Sequence, residues 1–190
     1  SPYGPVTAAF REYLRTTPAG LADCGPLRGR LALLLPELGP GEPSADRATL
    51  VEAIRCGFAA MVAERPAAVL LDDLQWSDEA TLELLAALAL PLRALPLLVV
   101  AAYRSDELPR TQPLRRLRTD LRRDRALDEV TVEPLTERET GRLVERLALA
   151  APSPRLARTL YDRTGGTPFF VEELTSALHA AGRLRPSAAG

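Results

Sequence analysis

Residues 67–71 read Ala-Ala-Val-Leu-Leu, an apolar run with no polar alternation that stops abruptly at two adjacent carboxylates, Asp72 and Asp73. A run this short and continuous predicts a strand buried on both faces of a parallel sheet, because a half-exposed strand would alternate. A parallel neighbour requires a crossover, normally a helix. The next residues supply one: 78–92 place Leu82, Leu85, Leu88 and Ala89 at helical spacing, with Asp78 as a polar cap and Glu79 in the first turn. Residues 96–102 predict a second buried strand, ending at Tyr103-Arg104-Ser105-Asp106. A helix over 111–123, marked by Leu114, Leu117 and Leu121, and a third strand over 128–132 complete the order of an α/β fold.

Upstream, Val6, Ala9, Phe10, Tyr13 and Leu14 recur at helical spacing, as do Val51, Ile54, Phe58, Met61 and Val62. Between them a short helix at 31–35 is framed by Pro26, Pro36, Gly39, Pro40, Gly41 and Pro43. From Glu133 onward the pattern is helical alone. Thr136 and Glu139 form a capping box ahead of Leu143, Val144 and Leu147, and 153–162 predict a second helix. Thr167 then precedes Pro168 as a helix start, with Phe170, Leu174, Ala177 and Leu178 expected on the inner face. The expected organisation is an α/β core over 1–132, a helical domain over 133–185 and a disordered tail over 186–190.

Composition removes several function classes. At 46% hydrophobic residues over 190 positions, the chain can bury a core and is not a disordered or fibrous type. A net charge of −1 gives no global attraction to nucleic acid or to an anionic membrane. No stretch approaches the ~18 apolar residues of a membrane span, and the opening residues lack a secretory pattern. Cys24 and Cys56 lie far apart in sequence, and with the single His179 they are too few for a zinc site, so a reduced cytoplasmic protein is expected. The arginines between Arg110 and Arg125 surround a clean Leu114, Leu117 and Leu121 stripe without interleaved aromatics, which favours a solvated helix face over a nucleic-acid surface. No serine or cysteine hydrolase arrangement is present.

The chemistry therefore centres on Asp72 and Asp73. Adjacent acids at a strand end project differently, so they divide labour. Asp72 is placed to hold Mg²⁺ through its water shell, and Asp73 to orient or deprotonate an attacking water. The plainer alternative is a strand terminus with a solvated turn and helix caps.

Three ordered motifs go further. Leu70-Leu71-Asp72-Asp73-Leu74-Gln75-Trp76-Ser77-Asp78, then Val99-Val100-Ala101-Ala102-Tyr103-Arg104, then Thr164-Gly165-Gly166-Thr167-Pro168-Phe169-Phe170-Val171-Glu172-Glu173-Leu174, together with the opening Pro2-Tyr3-Gly4-Pro5, resemble the ATPase region of large LuxR-type bacterial transcriptional regulators. These are signal-transduction ATPases with numerous domains, within the AAA-like P-loop class. The resemblance implies a partial parallel-sheet P-loop NTPase core followed by an all-helical lid, and a nucleotide-dependent switch using ATP and Mg²⁺. It implies that Asp72 and Asp73 are the Walker B acids, that Arg104 senses the γ-phosphate, and that Pro168 packs against the nucleotide base. Arg104 could equally be a surface residue or a partner for Asp106, and Pro168 is a common helix-start residue whatever the function. The implied partners are nucleotide and the other domains of the full-length regulator, with self-association a further candidate; neither membrane nor direct nucleic-acid contact is expected. The rival reading is a non-catalytic, degenerate NTPase-fold module kept for partner interaction.

All 24 basic residues are arginine. A phosphate cradle of the form G-x-x-x-x-G-K-[ST] is thus absent from these residues, so the Walker A portion is expected to be missing and the chain alone to be a poor ATPase. Loss of that portion would leave 96–102 with an unpaired edge and buried-type side chains facing solvent, and the isolated chain is expected to be marginally stable or to aggregate.

Overall fold

The computed structural model describes residues 2–41, 46–105, 113–148 and 152–182. Asp106, Arg110, the first two residues of the helix expected over 111–123 and the expected tail over 186–190 lie outside them. The chain divides into two compact units, Ser1–Asp128 and Glu129–Gly190, each with its own hydrophobic cluster.

The first unit begins with α1 (Gly4–Thr16), a 3₁₀ segment (Ala22–Leu27), α2 (Arg28–Leu31), a 3₁₀ turn (Pro36–Leu38) and α3 (Arg47–Met61). α3 starts where Asp46 accepts hydrogen bonds from the Ala48 and Thr49 amides at 3.0 and 3.3 Å. Its inner face buries Ile54 and Phe58, and the Phe58 ring meets Phe10 of α1 at 4.8 Å between centroids. Gly57 permits this approach, since a Cβ there would stand 2.9 Å from Phe10 Cζ.

Next come β1 (Ala67–Leu71), a 3₁₀ turn (Leu74–Trp76), α4 (Glu79–Leu92), β2 (Leu97–Ala101) and α5 (Pro113–Arg123). β1 and β2 pair in parallel, in register from Ala67 opposite Leu97 to Leu71 opposite Ala101, with α4 as the crossover. Among the described residues these are the only two strands. The expected burial on both faces does not hold. Val69 and Leu71 are buried in the core, whereas Leu70 on the opposite face is 66% exposed and its cross-strand neighbour Val100 is 43% exposed. The apolar run satisfies the requirement for two covered faces, but the described residues cover one.

The third strand expected over 128–132 is also absent: Val130 and Val132 are each 89% exposed and no ladder forms there. Alternation of Val with polar residues is a half-buried strand's pattern, but a strand exists only where a partner edge takes up its hydrogen bonds. α5 conforms to the solvated-face reading. Leu114 and Leu117 are buried, Arg123 pairs with Asp120 at 3.1 Å, and the Arg118 guanidinium lies 5.1 Å above the centre of the Tyr103 ring.

The second unit holds α6 (Glu137–Ala148), α7 (Pro154–Thr164) and α8 (Pro168–Ala180) around Val144, Leu160 and Val171. The capping box is formed: the Thr136 amide donates to Glu139 Oε2 at 2.9 Å and the Glu139 amide to Thr136 Oγ1 at 3.3 Å. These bonds hold the Glu139 carboxyl below the ordinary carboxylate range. Thr167 stands at the start of α8, but its side chain makes no capping bond. The inner face of α8 is Val171, Leu174, Thr175 and Leu178: Leu174 and Leu178 lie where expected, but Val171 and Thr175 take the places expected of Phe170 and Ala177, which are exposed, and Phe169 and Phe170 stack edge to face on each other.

α7 ends through Gly165 in the left-handed region, and Gly166 follows at φ +74°, its carbonyl accepting from the Leu135 amide at 2.8 Å. A Cβ at Gly166 would collide with the Leu135 carbonyl. Gly166→Ala is therefore expected to destabilise this unit by roughly 2–4 kcal/mol, through strain and overpacking together, as read by chemical denaturation. In the same unit the buried Thr140 hydroxyl has no hydrogen-bond partner. Replacing it by a methyl group in Thr140→Val should raise stability by about 0.5–2 kcal/mol; a loss of stability would show that the hydroxyl is satisfied in solution.

Candidate functional site

At the carboxyl end of the sheet the two strands remain tied beyond their ladder. The Ala102 amide donates to the Leu71 carbonyl at 2.9 Å, and the Leu74 amide donates to the Ala102 carbonyl at 2.9 Å. Asp72 and Asp73 occupy the short stretch between these anchors and are solvent-exposed. The turn requires Asp73 to adopt φ 51° and ψ 40°, a left-handed conformation that Asp tolerates better than most non-glycine residues. Asp72 Oδ1 accepts the Asp73 amide at 2.9 Å, satisfying the donor that the turn takes out of the ladder.

The residue the sequence reading passed over is Gln75. It is 4% exposed; its Nε2 donates to Asp73 Oδ1 at 2.9 Å, and its Oε1 accepts the Arg104 amide at 3.2 Å. One buried amide thus connects a carboxylate at the end of β1 to the backbone just past β2. Its signal in the sequence was a polar residue flanked by Leu74 and Trp76 in an otherwise apolar turn, which needed a burial state to become meaningful. Trp76 beside it is 75% exposed.

α4 then starts at Asp78, whose carboxylate accepts the Thr81 amide at 2.9 Å and the Thr81 hydroxyl at 2.8 Å. Partial desolvation raises the Asp78 carboxyl, but the Thr81 hydrogen bonds outweigh it and the net direction is downward. Asp78 therefore stays ionised as a cap and fixes the helix that follows the acidic turn.

Of the four residues singled out from sequence, Asp72, Asp73 and the Arg104 backbone come together at this one edge. Pro168 belongs to the second unit, where it occupies the first turn of α8. Among the described residues no group of three metal-ligating side chains occurs, and no helix is long and apolar enough to cross a membrane.

A parallel strand pair presenting carboxylates at its carboxyl edge is the arrangement of nucleotide-handling α/β proteins. The AAA ATPase domain family model matches residues 1–100, just over half of the 190-residue chain, and the chain belongs to this family of ATPase-type, nucleotide-using modules. The match includes Asp72, Asp73 and Gln75 and stops short of Arg104 and the second unit. Neither a curated protein nor a solved structure matches the chain.

Gln75→Ala removes the bonds to Asp73 Oδ1 and from the Arg104 amide together. A cost of roughly 1–3 kcal/mol is expected in denaturant unfolding. Gln75→Glu should be worse near neutral pH than in acid, because it sets a second carboxylate against Asp73, and this penalty fades once the introduced acid is protonated. Equal stability of Gln75→Glu and the parent at neutral pH would show that the strap is not formed in solution.

Proposed function

We propose that this AAA ATPase module is the nucleotide-responsive part of a LuxR-type bacterial transcriptional regulator of the signal-transduction ATPase branch, working as a switch in the cytoplasm. The observation that carries the reading is the Asp72-Asp73 turn at the carboxyl end of β1, within the residues matched by the AAA family and braced by Gln75.

Two carboxylates are too few to cage a metal unaided. They do fit a Mg²⁺ that arrives on a nucleotide, since Mg²⁺ keeps several waters and takes one or two protein carboxylates beside phosphate oxygens. Bound there, Mg²⁺ and ATP supply the phosphoryl group and neutralise the charge that develops on its transfer. The chain's own residues do the rest. Asp72 holds a water of the cation shell, and Asp73, with one oxygen engaged by Gln75, uses the other to orient and deprotonate the attacking water. Arg104, whose amide ends the Gln75 strap, directs its guanidinium chemistry to the γ-phosphate.

The resemblance further gives the helical residues 133–185, with Pro168 at a helix start, the role of a lid that reports the nucleotide state to the other domains of the regulator. With no lysine among the 24 basic residues, the Walker A lysine and its cradle are not part of this sequence. The segment by itself is a weak ATPase.

A second reading, a non-catalytic NTPase-fold module used for partner interaction, draws on the apolar face left open at Leu70, Leu98 and Val100. One substitution in the full-length protein separates the two. Asp73→Asn should keep nucleotide affinity while lowering turnover about 10²–10⁴-fold. Unchanged turnover removes Asp73 as the base, and absence of nucleotide binding by the unsubstituted protein transfers the case to the second reading.

A further inference from the structure

The chain contains two cysteines, distant in sequence and uninvolved in the acidic turn, and the fold brings them together. Cys24 lies in the 3₁₀ segment Ala22–Leu27, which packs directly on α3, and Cys56 lies on α3. Cys24 and Cys56 interact with one another across this packing, and both are present as free thiols. Cys24 is buried in the main hydrophobic cluster, whereas Cys56 is half-buried at its margin. A buried thiol alone is a small hydrophobe with no chemistry to explain. Two in mutual contact, one reachable from solvent, form the arrangement of an attacking and a resolving cysteine.

We propose that Cys24 and Cys56 constitute a reversible dithiol modification site, oxidised to an intramolecular disulfide by a small-molecule disulfide of the glutathione type. The Cys56 thiolate attacks one sulfur of the reagent; an S–S bond forms to Cys56 while the reagent's S–S bond breaks, releasing one thiolate. Cys24 then loses its proton and attacks Cys56 Sγ, forming the Cys24–Cys56 bond and expelling the second reagent thiolate. The two cysteines lose two electrons and two protons in all, and the reagent gains both as two free thiols.

The order of attack follows from the surroundings. Burial, reinforced by Cys56 and Asp23 and only partly offset by Arg28, pushes the Cys24 thiol up to about 12, so Cys24 has little thiolate to offer a reagent in solution. Its contact with Cys56 gives it a large advantage over any external thiol once the mixed disulfide exists. Protein disulfides in a reducing compartment are typically transient and redox-responsive, which suits a thiol pair held in contact but unbonded. The bond would link the 3₁₀ segment to α3 and close a loop containing α2 and the Pro36–Leu38 turn.

The test uses the full chain, equilibrated with oxidised and then reduced glutathione, quenched with alkylating agent and read by intact mass and peptide mapping. The expected product is a monomeric chain lacking two hydrogens, with a Cys24–Cys56 linked peptide. Reduced glutathione should restore the dithiol. Oxidation should raise the melting temperature by roughly 5–15 °C. Cys24→Ala, which keeps a small apolar group in the core, should stop at a stable glutathione adduct on Cys56 and lose the shift in melting temperature. Retention of both free thiols, a lasting adduct on Cys56 of the parent chain, or bonds between chains as the main product would each overturn the proposal.

Discussion

The hydrogen bonds from the Ala102 amide to Leu71 and from the Leu74 amide to Ala102 hold β1 and β2 together past the last paired residues of the sheet. The acidic turn depends on them. With both flanks pinned to one residue of the neighbouring strand, the chain between has almost no freedom, and Asp73 is driven into the left-handed region. That conformation costs of order 1 kcal/mol or more for a non-glycine residue, so it persists only where its surroundings over-determine it. The Asp72 carboxylate on the Asp73 amide and the Gln75 amide on the Asp73 carboxylate are that over-determination. The carboxylates are thus presented by a turn whose backbone and side-chain bonds agree, which is the condition for a preorganised site.

The helices were legible because their determinants are local. Asp46, Asp78 and the Thr136–Glu139 box lie within one turn of the amides they cap, and the Leu stripe of α5 recurs within the helix itself. Strand β1 was legible for a related reason, as an apolar run too short for a helix and bounded by turn residues. What failed was whatever depended on a neighbour. Residues 128–132 carry a strand's alternation but find no edge. At the start of α8 the inner position fell to Val171 instead of Phe170 because Phe169, Phe170 and Val171 are consecutive and apolar, so periodicity alone could not choose among them; contact with Val144 and Leu160 did. Asp72 and Asp73 stood out by charge at the end of an apolar run, while Gln75, neutral and placed among turn residues, became informative only through its burial and its bonds to Asp73 and the Arg104 amide.

The same division explains the cysteines. Spacing in sequence said nothing about a contact made by folding the Ala22–Leu27 segment onto α3. Gly57 contributes to that contact indirectly. One helical position from Cys56, it lets Phe10 sit against α3, so α1, the 3₁₀ segment and α3 close into a single cluster with Cys24 inside it.

The sheet itself is unusual in where its support lies. A pair of parallel strands has little stability of its own, and here every buried strand side chain points into one cluster built by α1, α3, α4 and α5. Leu70, Leu98 and Val100, paired across the opposite face, contribute nothing to that cluster and remain exposed to water. These residues are as apolar as their buried counterparts, so the strand composition reflects a demand for two covered faces while the described residues meet half of it. The acidic turn escapes the consequence. Its anchors are main-chain hydrogen bonds at the strand ends, and Leu71 and Leu74 on either side of it are both buried in the one-sided core. The geometry at Asp72 and Asp73 therefore rests on the covered face alone, and covering the other would add stability to the strands without having to rebuild the turn.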